Sequence, residues 1–471
     1  MTPDEFRRAG HALVDWIADY RANIESRKVI AQSAPGEIKA MLPTAPPPQG
    51  EPFDAITADL DTIVMPGITH WQHPRFFGYF PSNGLFASVL GDLLSSGLGV
   101  IGLTWQSSPA LTEVEEVAID WMRQMLGLSP AWSGVLNDTA STSTLVALLC
   151  ARERSTNYSL GRGGVQAETA PLIVYTSAHS HSSVEKAALL AGFGRAHVRV
   201  VPHDTAYAMR PYALDALIQA DLAAGHRPCA VVATTGTTTS TALDPIAAMA
   251  KVTESHGVWL HVDAAMAGSA MILPECRFMW HGVEQADSLI VNAHKWLGAV
   301  FDCTLYFVRD PEHLVRVMST HPSYLQTAAD GRVKNYRDWG LPLGRRFRAL
   351  KLWFLIREQG VEGLQARLRR DLANAEWLEG QVRATAGWRV LAPVPLQTVC
   401  VLHQPPGLGD EALDQHTQAW VARVNQSGAA YLTPALLDGR WMVRVSIGGE
   451  QTERRHVEQL WALMQQAVMS S

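Results

Sequence analysis

The chain has 471 residues, 47% of them hydrophobic, and a formal net charge of −6. That length exceeds one typical core and predicts two or three domains, while the mild acidity argues against a nucleic-acid partner. No apolar run of about 18 residues marks a membrane span, and five scattered cysteines without a C-x-x-C pair exclude a disulfide framework or a zinc site and point to a reduced, cytoplasmic setting.

Thr2-Pro3-Asp4-Glu5 reads as a helix start, with a Thr cap, Pro at the first helical position and Glu at the third. It carries no basic run, so no secretory leader is expected. Leu13, Trp16, Ile17 and Tyr20 then share one helical face, giving an arm whose apolar stripe needs a surface on its own chain or on a partner subunit. Pro43 to Pro52 is an extended linker. Trp71, Phe76, Phe77, Tyr79 and Phe80 follow among Gly and Pro, a composition that suits a core-filling loop or the wall of a pocket for a flat apolar ligand. The glycine-rich stretch from Gly91 to Gly102 is open to the same two readings.

Pro109 to Leu126 is an amphipathic helix. Gly134-Val135-Leu136 leads into the small tract Thr139-Ala140-Ser141-Thr142-Ser143-Thr144 and a helix from Leu145. Such a tract is either ordinary capping or an anion site, where free backbone N–H groups, hydroxyls and the positive end of the helix dipole coincide. Apolar strands then alternate with helices: Leu172 to Tyr175, Ala230 to Ala233, Val258 to Val262, and Leu289 to Val291. Continuous apolar runs signal a sheet covered on both faces, hence a mainly parallel, doubly wound α/β domain. Ligands in such folds sit beyond the carboxyl ends of the strands. His181, Thr238, Asp263 and Lys295 all follow strand ends. Ser319 to Asn335 is a long polar loop, Arg345 to Arg357 returns to helix, and beyond Val361 the pattern becomes a smaller α+β domain. The domains expected are a helical arm and linker (1–85), a large domain (86–360) and a small C-terminal domain (361–471). Arg345-Arg346-Phe347-Arg348 and Arg367 to Arg370 read as helix surface or local anion contacts.

Lys295 ends an apolar strand inside Asn292-Ala293-His294-Lys295-Trp296. Alone it could simply expose its ammonium. Together with the carboxylate of Asp263, the imidazole of His181 and an anion cradle at Ala140 to Ser143, it matches the needs of pyridoxal 5′-phosphate. That cofactor has an aldehyde that a lysine captures, a ring nitrogen that wants a carboxylate, and a phosphate that wants a helix N-terminus. Asp263 and Lys295 are 295 − 263 = 32 residues apart, one strand–helix–strand unit.

Asn292-Ala293-His294-Lys295-Trp296, His261-Val262-Asp263-Ala264-Ala265, Ser180 to Glu185 and Pro342 to Arg348 together resemble the group II pyridoxal-phosphate decarboxylases. Within that group the chain is similar to the aromatic L-amino-acid decarboxylases, nearest to bacterial members acting on DOPA. The resemblance runs from end to end and implies a fold-type I homodimer with shared active sites. It implies Lys295 as the lysine bonded to the cofactor, Asp263 as partner of the ring nitrogen, His181 stacked on the ring with Ala265 opposite, and Thr238 beside it. Ala140, Ser141, Asn292 and His294 would hold the phosphate, and Tyr324 would reprotonate the substrate carbon. Trp71, Tyr79, Phe80, Pro81 and Ser82 would wall the substrate pocket, with Ile101 and Leu103 from the other subunit. The implied reaction releases carbon dioxide and an aromatic amine from DOPA, 5-hydroxytryptophan, tryptophan, tyrosine or phenylalanine, DOPA being favoured.

Met266 departs from the Tyr of many relatives, and Ser82 and Leu103 from the Thr and Phe of animal members, which bears on ring preference rather than on reaction. Gly344 stands where plant relatives separate indole users (Gly) from phenol users (Ser). The family also holds oxygen-dependent aldehyde synthases, which depart at the tyrosine or the histidine; both are retained here. A metal hydrolase using His179, His181, His261 and Asp263 would leave the lysine and the cradle unexplained, and no metal is expected. A non-catalytic homologue is disfavoured by the presence of Lys295, Asp263, His181 and Tyr324.

Overall fold

A computed structural model of the chain describes residues 1–320 and 329–469. The first helix, Pro3–Ala22, starts as its sequence predicts. The Thr2 hydroxyl accepts the Glu5 N–H at 3.3 Å, and the Glu5 carboxylate accepts the Thr2 N–H at 2.6 Å. No described helix is long and apolar enough to cross a membrane.

The chain divides into two compact units. One comprises Met1–Pro81, Asn374–Val390 and Val399 to the C-terminus; the other comprises Ser82–Ala373 and Leu391–Thr398.

The second unit is built on a seven-stranded sheet: β1 (Ser133–Asn137), β2 (Leu172–Ser177), β3 (Val198–Val201), β4 (Arg227–Thr234), β5 (Trp259–Asp263), β6 (Ser288–Asn292) and β7 (Thr304–Val308). Their order is β1-β7-β6-β5-β4-β2-β3. β6, β5, β4, β2 and β3 run parallel, and β7 is antiparallel to both its neighbours. β2, β5, β6 and β7 are buried along their whole length. The continuous apolar runs therefore mean what they predict, a sheet covered on both faces.

Three strands lie outside the sequence expectation, β1 among them. β3 is a short, half-exposed edge strand, and β7 follows β6 with no crossover helix because it returns antiparallel. The long helix Ala349–Ala384 begins later than Arg345 and breaks at Gly360, whose φ of 63° suits glycine.

In the first unit the sheet has four strands, β8 (Trp388–Val390), β9 (Thr398–His403), β10 (Thr433–Leu437) and β11 (Arg440–Ser446), ordered β10-β11-β9-β8. β10 and β11 form a hairpin. Its turn, Asp438-Gly439, has φ of 49° and 77°, the left-handed pair that a tight two-residue hairpin requires. Helices Asp410–Ser427 and Arg454–Met469 bury Trp420, Val424, Leu460 and Met464. The small sheet and its helices make an α+β fold, and the unit that holds them also takes in Met1–Pro81, with its C-terminal part beginning at Asn374 rather than Val361.

Candidate active site

The parallel strands bring their carboxyl ends to one edge of the large sheet. β6 ends at Asn292 and Lys295 follows in the turn Ala293–Leu297, where its backbone leaves helical geometry. Trp296, next to it, is fully buried and its indole N–H donates to Asp371 at 2.9 Å. Burial raises the pKa of that carboxyl to about 6. Arg367 donates to the Trp296 and Leu297 carbonyls at 2.7 and 2.6 Å. The lysine is thus carried on a segment bolted to the core on its C-terminal side. Lys295 itself is half-buried.

Asp263 closes β5 and is 4% exposed. One carboxylate oxygen accepts the Ala265 N–H at 3.0 Å, and the Ala265 carbonyl accepts the Asn292 N–H at 2.9 Å. The turns after β5 and β6 are therefore tied together. His181 follows β2 and presents an exposed ring. The Ser183 N–H donates to its Nδ1 at 3.2 Å, which leaves the ring proton on Nε2. Desolvation by its surroundings and the Lys295 ammonium lower the His181 pKa below the ordinary imidazole value, while Asp263 pulls the other way. Thr238, after β4, is half-buried beyond the same edge.

The anion cradle differs from its sequence description in one respect. The helix begins at Ala140, so the hydroxyl tract is its first turns rather than a lead-in to a helix from Leu145. The Thr139 hydroxyl caps it by accepting the Thr142 N–H at 3.4 Å, and the N–H groups of Ala140 and Ser141 have no intrahelical acceptor. β7 sets where this helix starts relative to the lysine turn. Thr304 pairs with Asn137 on one side and Asn292 on the other. Its hydroxyl lies 2.9 Å from the Asn292 side-chain oxygen and 3.1 Å from the Asp138 carbonyl. His294 is buried, its Nδ1 receiving the Cys303 N–H at 2.9 Å. Burial, reinforced by Lys295, lowers its pKa to about 4. Ser82 donates to the His294 carbonyl at 3.2 Å.

Trp71, Tyr79, Phe80 and Pro81 lie in the other unit, where Trp71 and Tyr79 belong to an aromatic cluster. Trp71 and Tyr79 stack with centroids 5.4 Å apart, and Phe76 and Tyr431 complete the group. Tyr79 adopts φ of 50°, a left-handed conformation costing on the order of 1 kcal/mol in a non-glycine residue. Arg444, 4% exposed, stacks its guanidinium over Phe80 at 4.7 Å. Sequence reading missed Thr304, Tyr431, Thr433 and Arg444. Only Thr304, a polar residue opening an apolar run, carries a local signal.

Ile101 and Leu103 belong to the second unit, the former exposed and the latter half-buried. A Cβ at Gly344 would stand 3.6 Å from the Ile101 side chain, ordinary contact. Tyr324 lies outside the described residues. Of the two readings of the arginine motif, the local anion contact holds. Arg345 forms a buried pair with Glu115 at 2.6 Å, Arg346 reaches Asp92 at 3.1 Å, and Arg348 pairs with Asp302 at 2.9 Å. In the second basic run Arg369 meets Glu275 and Arg370 meets Asp371.

Residues 35–403 match the model of the pyridoxal-dependent decarboxylase conserved domain. The chain is 38% identical to phenylacetaldehyde synthase of Arabidopsis thaliana, over 99% of this chain and 96% of that one. It is 38% identical to tryptophan decarboxylase 2 of Oryza sativa subsp. japonica, over 98% and 94%. Its structure superposes on the crystal structure of Oryza sativa TDC with PLP and tryptamine at a TM-score of 0.97, with 38% identity and coverage of 100% of this chain and 98% of that one. The chain belongs to the pyridoxal-dependent decarboxylase family, and its cofactor is pyridoxal phosphate. The donor set at the sheet edge fits that group: a primary amine, a buried carboxylate, an open imidazole face and free N–H groups at a helix start.

Proposed function

We propose that the protein decarboxylates an aromatic L-amino acid, DOPA in preference, to the corresponding amine and carbon dioxide. The observation that carries this reading is the placement of His181, Asp263 and Lys295 after the carboxyl ends of three strands of one parallel set. Lys295 would hold the cofactor through its side-chain amine, the group that captures an aldehyde. Asp263 pairs with the ring nitrogen and keeps it positive. His181, Ala265 and Thr238 would hold the cofactor ring. Ala140, Ser141, Asn292 and His294 hold the phosphate. The bound cofactor supplies the sink for the electron pair left as carbon dioxide departs. Tyr324 then returns a proton to the substrate carbon. Trp71, Tyr79, Phe80, Pro81 and Ser82 receive the substrate ring, with Gly344 leaving room for either a catechol or an indole.

The protein acts as a homodimer. Phe86, Leu90, Leu93, Leu94 and Leu98 line one exposed face of the helix Phe86–Leu98, continuing into Ile101. So large an apolar stripe suits a subunit interface. Ile101 and Leu103 then serve the neighbouring subunit's pocket. The arm helix also leaves Leu13, Trp16, Ile17 and Tyr20 only half-covered by its own chain, and in this reading residues 1–85 pack on the partner, with 86–360 binding the cofactor and 361–471 forming the small domain. Five buried free cysteines fit a cytoplasmic setting.

Identity with an aldehyde synthase keeps a second reaction in view, the oxygen-dependent one. Steady-state assays of purified holoenzyme on DOPA, 5-hydroxytryptophan, tryptophan, tyrosine and phenylalanine decide between them. Amine should match carbon dioxide one to one. Hydrogen peroxide in step with carbon dioxide makes the protein an aldehyde synthase instead. Tyr324→Phe should move product from amine toward aldehyde.

A further inference from the structure

The segment Phe76-Phe77-Gly78-Tyr79-Phe80 has neither helical nor strand periodicity, yet it holds a defined shape. Its backbone is laced to the C-terminal part of the chain. The Phe77 N–H donates to the Tyr431 carbonyl at 2.9 Å, the Ser446 N–H donates to the Phe77 carbonyl at 2.9 Å, and the Tyr431 N–H donates to the Arg75 carbonyl at 3.2 Å. At Tyr79 the lacing passes to side chains. The Tyr79 N–H donates to the Thr433 hydroxyl at 2.7 Å, and the Tyr79 carbonyl accepts from Arg444 at 3.3 Å. The Tyr431 hydroxyl donates to that of Tyr79 at 3.3 Å. Gly78 lies so close to the Tyr431 ring that a Cβ there would fall 2.4 Å from it. Both backbone groups and the hydroxyl of Tyr79 are therefore held by residues more than 350 positions away in sequence, in the one conformation that Tyr79 would not choose for itself.

We propose that Thr433, Tyr431 and Arg444 are positioning residues that set the left-handed turn at Tyr79, so that the C-terminal strands determine how tightly the substrate ring is gripped. The inference rests on the reading that Trp71, Tyr79 and Phe80 face that ring. Thr433 is the decisive handle. Its hydroxyl oxygen is the acceptor of the Tyr79 N–H, and valine replaces it at nearly constant volume. Loss of that acceptor lets the turn relax while the sheet edge that holds the cofactor stays intact. Weaker ring contact, made equally in ground and transition states, raises KM and leaves kcat alone.

Thr433→Val and Thr433→Ser holoenzymes, assayed beside wild type on the best aromatic substrate, test this. Thr433→Val should raise KM about five- to tenfold, with kcat within about twofold and bound-cofactor absorbance per subunit unchanged. Thr433→Ser, which keeps the oxygen, should return KM to the wild-type value. A wild-type KM in Thr433→Val overturns the proposal. So does a fall in kcat at constant KM, or a loss of cofactor absorbance, either of which makes Thr433 a general structural residue. Failure of the underlying functional reading shows itself separately, as wild-type enzyme that decarboxylates no aromatic amino acid.

Discussion

The two clusters of this protein are held by opposite means. The cofactor edge is positioned by strand ladders. Lys295, Asp263 and His181 stand where parallel strands stop, and Thr304 pairs with Asn137 and Asn292 on the same rung. The aromatic wall has no ladder beyond the isolated bridge of Phe76 with Tyr431, and is fixed by single backbone and side-chain bonds from the C-terminal part of the chain. The first arrangement cannot shift one residue without shifting a sheet. The second can be altered one bond at a time. In the proposed reading chemistry belongs to the first and recognition to the second, and each can be broken alone.

Lys295→Ala should have the largest effect, lowering kcat by at least about four orders of magnitude, with no cofactor trapped on the chain by borohydride; retention of a trapped adduct would place the covalent bond elsewhere. Acid comes next and asks whether the two regions fail together. His261 and His294 in the second unit and His73 in the first are all held near pKa 4 by burial. An unfolded histidine titrates near 6.5, so below that pH the unfolded chain takes up protons that the folded chain refuses. Stability present above about pH 6.5 is then lost as pH falls toward 4, by roughly 3 kcal/mol per fully shielded ring. Urea midpoints should fall steadily across that interval, and a flat profile would mean these rings are not shielded. Trp71→Ala removes a stacked ring from the wall and should raise KM about tenfold. An equal fall in kcat would tie the wall to chemistry after all. The smallest effect belongs to Thr304→Val, which should weaken cofactor binding about fivefold and leave the KM for amino acid unchanged, as equilibrium dialysis and initial rates would show.

How far the sequence reaches follows the same division. Lys295, Asp263, His181 and Thr238 are legible because each follows a fully buried apolar run, and the rule that ligands sit beyond strand ends does the rest. β7 escapes because its partner β6 precedes it without a helix, so strand–helix alternation gives no cue. The arginines at 345, 346 and 348 read as helix surface or local anion contacts, with no choice between them, because nothing nearby in sequence identifies their carboxylates; Glu115 lies 230 residues away. The positioning of Tyr79 is invisible for a stronger reason. Periodicity reports which face of an element is buried, whereas a turn held by a distant threonine and arginine has no period.

The five cysteines can serve as reporters of opening. All are buried, four in the second unit and Cys400 in the first. Burial raises every thiol pKa, those of Cys276 and Cys400 to about 11 and those of Cys229 and Cys303 to about 12. A thiol so protonated and so shielded does not react with alkylating reagents until the surrounding structure opens. The rate at which each sulfur is labelled is therefore a clock for the opening of its own unit. Counting label on Cys400 against the other four times the loosening of the C-terminal body separately from that of the large sheet.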